Sequence, residues 1–244
     1  MMPTLRILLL SMALMGWANG WTASVAYAVR WVHATRVHVI SVDLRDRTLE
    51  VMPAIANDTP GTRQSFLAFM AQHQPLAQIT GGYFSLSTSL PIGSIVIHRQ
   101  LRYLGVAGSA LAIRADNTAE IVNIPYGWRY SWSGYEHVLQ GGMRLVQHSR
   151  YAVFPRDQGF RDPTLFEHAT RTAVGLIGGK RLLLVAVNKM ILLSELAAIM
   201  KGLGCTDAMT LDGGYSTGLA IGGHTILLPG RTLSTVLMVT RRGT

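Results

Sequence analysis

The chain has little cysteine and few acidic side chains. Cys205 is the only cysteine among 244 residues, so no disulfide bond can form within the chain, and cysteine-rich metal sites are excluded. Asp and Glu together number 13 against 22 Lys and Arg, and the resulting net charge of +9 favours an anionic partner such as a phosphate group, an acidic polymer or a lipid surface. Because the arginines are spread singly along the chain, we expect no nucleic-acid partner.

The signatures of several common sites are also missing. The sequence contains no H-E-x-x-H, no G-x-x-x-x-G-K-[ST] and no G-x-G-x-x-G after a strand, and its eight histidines lack the spacing of metal ligands. We therefore expect no cofactor. A divalent metal such as Ca²⁺ stays open at Asp207 and Asp212, although their separation places them on opposite faces of a strand unless the loop turns.

The N-terminal segment carries an apolar run that predicts export. Arg6 is followed by no charged residue until Arg30, and Ile7 to Trp17 form a compact apolar block. Residues 1–28 are therefore interpreted as a signal peptide or, if uncleaved, as an N-terminal membrane anchor. The rest of the protein would then be periplasmic or secreted, or anchored and facing out of the cytoplasm, with a membrane contacted only through this segment.

Small residues favour cleavage at the end of this segment. Ala26-Tyr27-Ala28 has the small-x-small pattern for cleavage after Ala28, and Ala18-Asn19-Gly20 is a weaker site. No linker or low-complexity stretch follows, so residues 29–244 are predicted to form one domain.

The domain contains an internal repeat of a hairpin, a helix, a strand and a loop with two glycines. The first copy has strands at Arg36–Leu44 and Thr48–Met52, a helix capped by Thr62 with Phe66, Phe69 and Met70 on its buried stripe, a strand at Leu76–Thr80, and the loop Gly81-Gly82-Tyr83-Phe84. The second copy has strands at 172–177 and 181–187, a helix capped by Ser194, a strand at 206–211, and the loop Asp212-Gly213-Gly214-Tyr215. The shared order of elements indicates duplication.

This order predicts an α+β fold with mixed, largely antiparallel sheets and a few helices, built from the duplicated hairpin-helix-strand-glycine-loop unit. We expect the two loops to meet at equivalent strand ends, where ligand sites tend to form. Paired glycines let backbone N–H groups approach an anion, although a single Gly-Gly pair more commonly serves a tight turn. A third pair, Gly141-Gly142, and a long loop from Tyr151 to Ala169 are further candidates for the site.

Asp212 stands out among the few carboxylates because it ends an apolar strand and begins a glycine loop. Two interpretations are open at this point, because Asp also closes turns by hydrogen bonding to the backbone two residues further on. Its counterpart in the first copy is Thr80, so one copy supplies a charge and the other a neutral hydrogen-bonding group.

Four sequence blocks carry a family resemblance. They are I-T-G-G-Y-F (Ile79–Phe84), Q-G-G-M-R-L-V (Gln140–Val146), R-T-A-V-G (Arg171–Gly175) and S-E-L-A-A-I-M-K-G-L-G-C-T-D-A-M-T-L-D-G-G-Y-S-T (Ser194–Thr217), the last being the most specific. Together they resemble the phosphodiester glycosidase family, which occurs in bacterial exopolysaccharide-related proteins and in a lysosomal enzyme that removes N-acetylglucosamine from phosphomannose.

The resemblance implies a hydrolase that cleaves a sugar-1-phosphodiester at the glycosidic bond, with a glycan or sugar phosphate as substrate. A phosphate leaving group is already a stable anion, so one carboxylate can suffice where ordinary glycosidases use two. We assign Asp212 as base or nucleophile and Arg171 as the phosphate clamp, because a guanidinium can hold two phosphate oxygens at once. The predicted substrate-binding residues are Thr80, Gly81, Gly82, Tyr83, Phe84, Gly141, Gly142, Thr172, Gly213, Gly214, Tyr215, Ser216, Thr217 and Arg231.

The chain departs from the family pattern at three points. The family usually has Asn at the position of Thr80, a third glycine at Tyr215 and an Asp-Gly turn at Asn188-Lys189. The changes at Thr80 and Tyr215, together with the positive charge, support an alternative prediction, a non-catalytic module that binds anionic polysaccharide in the cell envelope.

Overall fold

The computed structural model describes residues 23–243, in which strands predominate. The strands are β1 (Val25–Val32), β2 (Thr35–Asp43), β3 (Leu49–Ile55), β4 (Ala77–Thr80), β5 (Ile95–Ile97), β6 (Gln100–Tyr103), β7 (Ser109–Ile113), β8 (Ala119–Val122), β9 (His137–Gly142), β10 (Arg144–Gln147), β11 (Arg150–Tyr151), β12 (Ala169–Ile177), β13 (Arg181–Ile191), β14 (Asp207–Thr210), β15 (Leu219–Ile221), β16 (His224–Leu227) and β17 (Thr235–Arg241). The α-helices are α1 (Phe66–His73) and α2 (Leu193–Gly202). The predicted α+β class is confirmed.

The strands form three sheets with antiparallel neighbours. The first sheet has the order β1-β2-β13-β12-β14-β10-β11, the second β16-β15-β4-β17-β3, and the third β6-β5-β9-β7-β8. The two predicted glycine loops therefore follow strands of different sheets, because β4 lies in the second sheet and β14 in the first.

The three sheets enclose one central core, and α1 and α2 cover the outer faces of two of them. In the first sheet, Leu184 of β13 faces the central core, whereas its neighbour Val185 packs in the cluster that contains α2. In the second sheet, Leu237 of β17 faces the core and Val236 packs with Phe69 of α1. Burial on both faces explains why these strands read as continuous apolar runs rather than as alternating patterns.

The second repeat unit has the predicted elements. β12 and β13 form a hairpin around Gly178 and Gly179, whose φ values of +55° and +65° suit the tight turn. After α2, β14 pairs with β12. Helix, strand and glycine loop are also confirmed in the first unit, where α1 is followed by β4.

The predicted hairpin of the first unit is wrong. β2 pairs with β1 and β13, whereas β3 pairs with β17, from Leu49 opposite Arg241 to Ile55 opposite Thr235. Because β17 also pairs with β4, the arrangement β3-β17-β4 corresponds to β13-β12-β14 of the second unit. β2 is hydrogen-bonded along both edges, so no edge remains to which β3 could pair.

The helices also begin differently from the prediction. Ser65 caps α1, because its hydroxyl oxygen accepts a bond from the N–H of Ala68 at 3.0 Å. The predicted cap Thr62 instead donates its hydroxyl proton to loop carbonyls. α2 begins one residue before the predicted cap Ser194, and the Glu195 carboxylate accepts a backbone N–H at its start with an N···O distance of 2.7 Å.

Part of the predicted export segment forms a strand. Residues 1–22 lie outside the described residues, but β1 pairs with β2 from Val25 opposite Val42 to Val32 opposite Thr35. The predicted cleavage point after Ala28 therefore falls inside a paired strand. Between residues 23 and 243, no helix has the length and apolar character needed to cross a membrane.

Candidate active site

Three glycine pairs meet at one place in the fold. The Gly81 carbonyl accepts a hydrogen bond from the N–H of Asp212 at 2.9 Å, which joins the loop after β4 to the loop after β14. The Gly141 carbonyl accepts one from the N–H of Tyr83 at 3.1 Å, which joins the end of β9 to the first loop. The expectation that the two repeat loops meet is confirmed, and Gly141-Gly142 completes the arrangement.

The first loop and the end of β9 need glycine because backbones cross closely there. A Cβ on Gly81 would lie 2.2 Å from Thr235 Oγ1, and a Cβ on Gly142 would lie 2.1 Å from the Thr210 carbonyl oxygen. The Gly81 N–H donates to the Thr235 carbonyl at 3.0 Å, so this amide holds the fold together rather than facing an anion. Gly214 differs, because it has a φ of +59° and open space where a Cβ would stand.

Asp212 is half-buried at this meeting point. Its backbone carbonyl accepts a bond from the Thr172 hydroxyl at 2.7 Å, which fixes the start of the loop. Burial raises the pKa of the Asp212 carboxyl to about 6, while the Ser216 hydroxyl, the Arg231 guanidinium and the Gly213 N–H favour the ionised form. A carboxyl with such a pKa exchanges its proton near neutral pH, as a general base requires.

Tyr83 places a buried hydroxyl in the same region. Within residues 23–243 this hydroxyl has no well-formed hydrogen bond. Burial and the negative charge of Asp212 raise the pKa of the Tyr83 phenol to about 12, while Arg171 and Thr210 act in the opposite direction. The phenol is therefore protonated at neutral pH and can serve as a hydrogen-bond donor. Thr210, the last residue of β14, did not enter the sequence prediction; its hydroxyl lies beside Tyr83 and accepts the N–H of Met143 at 2.9 Å.

Arg171 is a buried cation held by backbone carbonyls. It is 3% exposed; its Nε donates to the Ile191 carbonyl at 3.2 Å, and its Nη2 donates to the carbonyls of Leu165 and Glu167 at 3.1 and 2.5 Å. Leu165 and Glu167 belong to the long loop that the sequence singled out. Because Nε and Nη2 are engaged with backbone, a bidentate phosphate clamp at Arg171 requires these bonds to be exchanged.

Tyr215 and Arg231 form the exposed rim of the site. Tyr215 is 73% exposed, and the guanidinium carbon of Arg231 lies 5.4 Å from the centre of its ring, within the range of a cation–π contact. The Tyr215 carbonyl accepts the N–H of Gly230 at 2.8 Å. Arg231 is only partly buried and helps to keep Asp212 ionised, so it is the accessible cation beside the carboxylate.

The predicted hydroxyl residues mainly support the loops. Thr80 is 1% exposed and donates its hydroxyl proton to the Ser216 carbonyl, and Thr172 donates to the Asp212 carbonyl. The Thr217 hydroxyl lies 2.9 Å from that of Thr170. These bonds hold the two loops in one shape.

One pattern in the second loop was missed in the sequence interpretation. Gly214 to Gly218 read G-x-S-x-G, which in α/β-hydrolases exposes a serine nucleophile on a sharp strand-to-helix turn. Here Ser216 is fully buried in a short 3₁₀ turn and lies beside Asp212. The exposed serine and the strand-to-helix turn of that motif are both missing here. The Ser216 hydroxyl instead acts to lower the pKa of the Asp212 carboxyl.

A cavity of about 510 Å³, open to the surface, lies against the long loop from Tyr151 to Ala169. Its lining residues are Phe154, Pro155, Arg156, Asp157 and Phe166. Phe166 packs in the same apolar cluster as Tyr83 and stands between the two residues whose carbonyls hold Arg171. The long loop thus connects the cavity to the buried cation.

Two further predicted positions lie at the margin. Phe84 is partly buried and pairs with Pro91 by a short backbone bridge. Asp207 begins β14, and its carboxylate accepts the N–H of His148 at 3.1 Å. In the described part of the chain, the side chains with the spacing of metal ligands are Glu50, His98 and His137, not Asp207 and Asp212.

The fold and the site define a class of protein, an α+β domain in which strand-end glycine loops hold one titratable carboxylate beside cations. A family model described as phosphodiester glycosidase matches residues 73–240, so the chain belongs to the phosphodiester glycosidase family, a family of glycosidase-type hydrolases. No curated protein matches the sequence.

The fold is shared with solved structures of other proteins. A hypothetical protein from Synechocystis has a TM-score of 0.81 at 16% identity, over 91% of this chain and 63% of its own, so this chain spans less than two thirds of that protein. The catalytic domain of zebrafish N-acetylglucosamine-1-phosphodiester alpha-N-acetylglucosaminidase, auto-inhibited by its pro-peptide, has a TM-score of 0.70 at 19% identity, over 89% of this chain and 82% of its own.

Proposed function

We propose that the domain hydrolyses a sugar-1-phosphodiester at the bond to the anomeric carbon, in glycans of the cell envelope or of exopolysaccharide type. The observation that carries this proposal is Asp212, a half-buried carboxyl with a pKa of about 6 where three glycine loops meet. Family membership supports the class of reaction, and the name of the zebrafish relative supports a sugar linked to phosphate.

A single carboxylate is sufficient for this reaction. Ionised Asp212 either takes a proton from the water that attacks the anomeric carbon or attacks that carbon itself. In the second case water then hydrolyses the bond between the sugar and Asp212, which releases the sugar and restores the carboxylate. The bond from the anomeric carbon to the phosphate oxygen breaks, and its electron pair leaves with the phosphomonoester. Because this leaving group is a stable anion, it needs no carboxylic acid to protonate it, unlike the alkoxide of an ordinary glycoside.

The two arginines have different tasks in this proposal. Arg231, at the rim, approaches the phosphate and stabilises the charge that gathers on it. Arg171, bound to three backbone carbonyls, acts as a fixed positive charge beside the Tyr83 hydroxyl. We expect Arg231→Gln to raise KM for the phosphodiester in steady-state kinetics, because the phosphate loses its accessible cation. An unchanged KM would contradict this assignment.

Asp212→Asn tests the proposed chemistry. The full chain is incubated with a sugar-1-phosphodiester and released sugar is measured. Asp207→Asn is the control, because Asp207 begins the strand that leads to Asp212 and lies outside the glycine loops. Asp212→Asn should lower kcat by about 10²–10⁴-fold, and wild-type kcat should rise with pH through an inflection near 6. Equal turnover by both variants would remove Asp212 from the mechanism.

The alternative function is binding of anionic polysaccharide without turnover. Its support is the exposed Tyr215 ring beside Arg231, because an aromatic face and a cation at the rim can hold an anionic sugar. In that case wild-type protein binds the polysaccharide and releases no sugar, and Tyr215→Ala weakens the binding.

The location of the protein also follows as a proposal. We propose that the N-terminal segment directs export, and that cleavage occurs at the weaker site after Gly20 or not at all, because β1 begins at Val25 and cleavage after Ala28 would divide it. N-terminal sequencing of the exported protein tests this, and a mature chain beginning at Val29 would contradict it.

A further inference from the structure

Glu50, His98 and His137 bring three metal-binding atoms within 4.8 Å of one another. Glu50 lies on β3 of the second sheet, His98 in the turn between β5 and β6, and His137 at the start of β9 in the third sheet. Since β9 runs from His137 to Gly142, the cluster lies about 16 Å along the strand from the glycine pair of the active site. It is therefore a second place in the molecule where groups from different sheets meet.

The distances in this cluster suit a small metal ion. His137 Nε2 lies 3.0 Å from Glu50 Oε1, and His98 Nδ1 lies 3.9 Å from the same oxygen. Two ligands of a tetrahedral zinc ion lie about 3.3 Å apart, since bonds from zinc to nitrogen and oxygen are about 2.0–2.1 Å. The two imidazole rings meet edge to face, with centroids 4.9 Å apart at 72°.

The cluster has a rigid, buried part and an accessible part. His137 is 1% exposed and Glu50 is 9% exposed. The His98 side chain is 57% exposed, so it can rotate toward the other two and leaves a path by which an ion can enter.

The local charge favours a cation. Glu136 adds a second carboxylate, 3.9 Å from His98 Nδ1. Arg242 Nη1 lies 4.0 Å from Glu50 Oε1, at the limit of an ion pair, and Arg242 Nη2 donates a hydrogen bond to Asn117 Oδ1. Two carboxylates therefore lie 3.9 Å from His98 Nδ1, and the ion pair between Glu50 and Arg242 is a long one.

We propose that Glu50, His98 and His137 bind a divalent first-row transition ion, with Zn²⁺ as the best match, and that the ion fastens the second sheet to the third. Two imidazoles and a carboxylate suit zinc, whereas calcium and magnesium prefer ligands that are all oxygen. Three protein ligands leave the fourth position of a tetrahedral zinc ion to water. Such a link replaces the disulfide bond that a chain with one cysteine cannot form.

Ion binding moves one proton on His137. The backbone N–H of His98 donates to His137 Nδ1 at 3.3 Å, so Nδ1 is the acceptor nitrogen of this ring. In the metal-free protein His137 Nε2 therefore carries the proton, and it donates to the Glu50 carboxylate. An ion at Nε2 takes the place of that proton, which moves to Nδ1, and the long hydrogen bond from His98 is given up. The imidazole stays neutral, and no proton is released.

Metal titration of the full chain tests the site. After treatment with a chelator, the protein should bind one equivalent of Zn²⁺ in calorimetry, and Zn²⁺ should raise the midpoint of thermal unfolding until EDTA reverses the effect. Imidazole ¹⁵N resonances should report transfer of the His137 proton from Nε2 to Nδ1. Binding of less than one equivalent, or binding without this transfer, would overturn the proposal.

His98→Ala is the decisive variant because His98 is exposed and its loss leaves the core intact. We expect at least tenfold weaker Zn²⁺ binding, with circular dichroism confirming the fold. His33→Ala is a matched control, because His33 and His98 both stand at left-handed turn positions, with φ of +46° and +49°. If His98→Ala binds Zn²⁺ as tightly as His33→Ala, the site is wrong. These readouts do not depend on turnover, so they can fail while the proposed hydrolysis holds.

Discussion

The two glycine loops stand on corresponding scaffolds and have different tasks. In the first loop Thr80 is buried with its hydroxyl bonded to the Ser216 carbonyl, and Gly81 has no room for a Cβ. In the second loop Asp212 is half-buried with a raised pKa, and Gly214 faces open space. The comparison teaches that two loops on corresponding scaffolds can differ in task, because the first loop supports the second and the second holds the titratable carboxyl.

The supporting loop touches the reactive loop directly. Thr80 and Gly81 each form a hydrogen bond to the segment from Asp212 to Ser216. Changes in the first loop should therefore act mainly on stability and on the shape of the second loop, whereas changes at Asp212 should act on the chemistry.

The largest expected effect on stability is the difference between a glycine-to-alanine change in the first loop and one in the second. Gly81→Ala should lower the free energy of unfolding by about 2–4 kcal/mol, because the added Cβ would lie 2.2 Å from Thr235 Oγ1 and 2.8 Å from backbone. Gly214→Ala should lower it by about 1 kcal/mol, since only its positive φ is unfavourable. Urea unfolding of both variants measures the difference. Equal losses of stability would contradict the view that the first loop is more tightly packed than the second.

Asp212→Asn should stabilise the protein while it removes activity. The ordinary pKa of this carboxyl is 3.8 and its folded value is about 6, so between about pH 4 and 6 the folded protein keeps a proton that the unfolded chain releases. Stability is then lost as pH rises through this window and stays reduced above it. At pH 7 the variant should gain about 1–3 kcal/mol, a range that allows for partial exposure.

The gain from Asp212→Asn should shrink as pH falls toward 4, close to the ordinary pKa of 3.8, because the unfolded chain then begins to keep the proton as well. Asp207→Asn serves as the control in the same urea titrations at pH 4 and pH 7, because Asp207 begins β14 outside the glycine loops. A gain for Asp212→Asn that does not change with pH would mean that the burial of the charge is not its cause.

The smallest expected effect concerns the bond between the loops. Thr80→Val keeps the shape of the side chain but removes the donor to the Ser216 carbonyl, so we expect a loss of about 1–2 kcal/mol in the free energy of unfolding. Thr80→Ser, which keeps the hydroxyl, is the matched control. If the two variants unfold alike, the hydroxyl of Thr80 does not link the loops.

The second repeat unit could be predicted because its contacts are local. β12 and β13 are joined by a glycine turn, and β14 returns to β12 after one helix. The hairpin of the first unit failed because the true partner of β3 is β17, near the other end of the chain, and an apolar pattern does not encode which distant strand will pair.

Part of the candidate site could also be predicted from the sequence, because that part depends on residues that are neighbours in the chain. A carboxylate at a strand end before two glycines marks Asp212 directly. Two other features of the site could not be predicted: the backbone carbonyls that bind Arg171 and the burial of the Tyr83 hydroxyl. Both depend on how the long loop folds, and the loop has no periodic pattern from which its fold could be predicted. The histidines appear scattered in the sequence because His98 and His137 meet only after strand pairing.

The position of β17 has a consequence for the order in which the molecule can be completed. This strand lies between β3 and β4, and its Thr235 carbonyl accepts the N–H of Gly81. A loop that follows β4 is thus fixed by a strand that comes much later in the chain. Pairings over so long a sequence separation form slowly, so this loop can take its final shape only after β17 has been made and has inserted between its two neighbours.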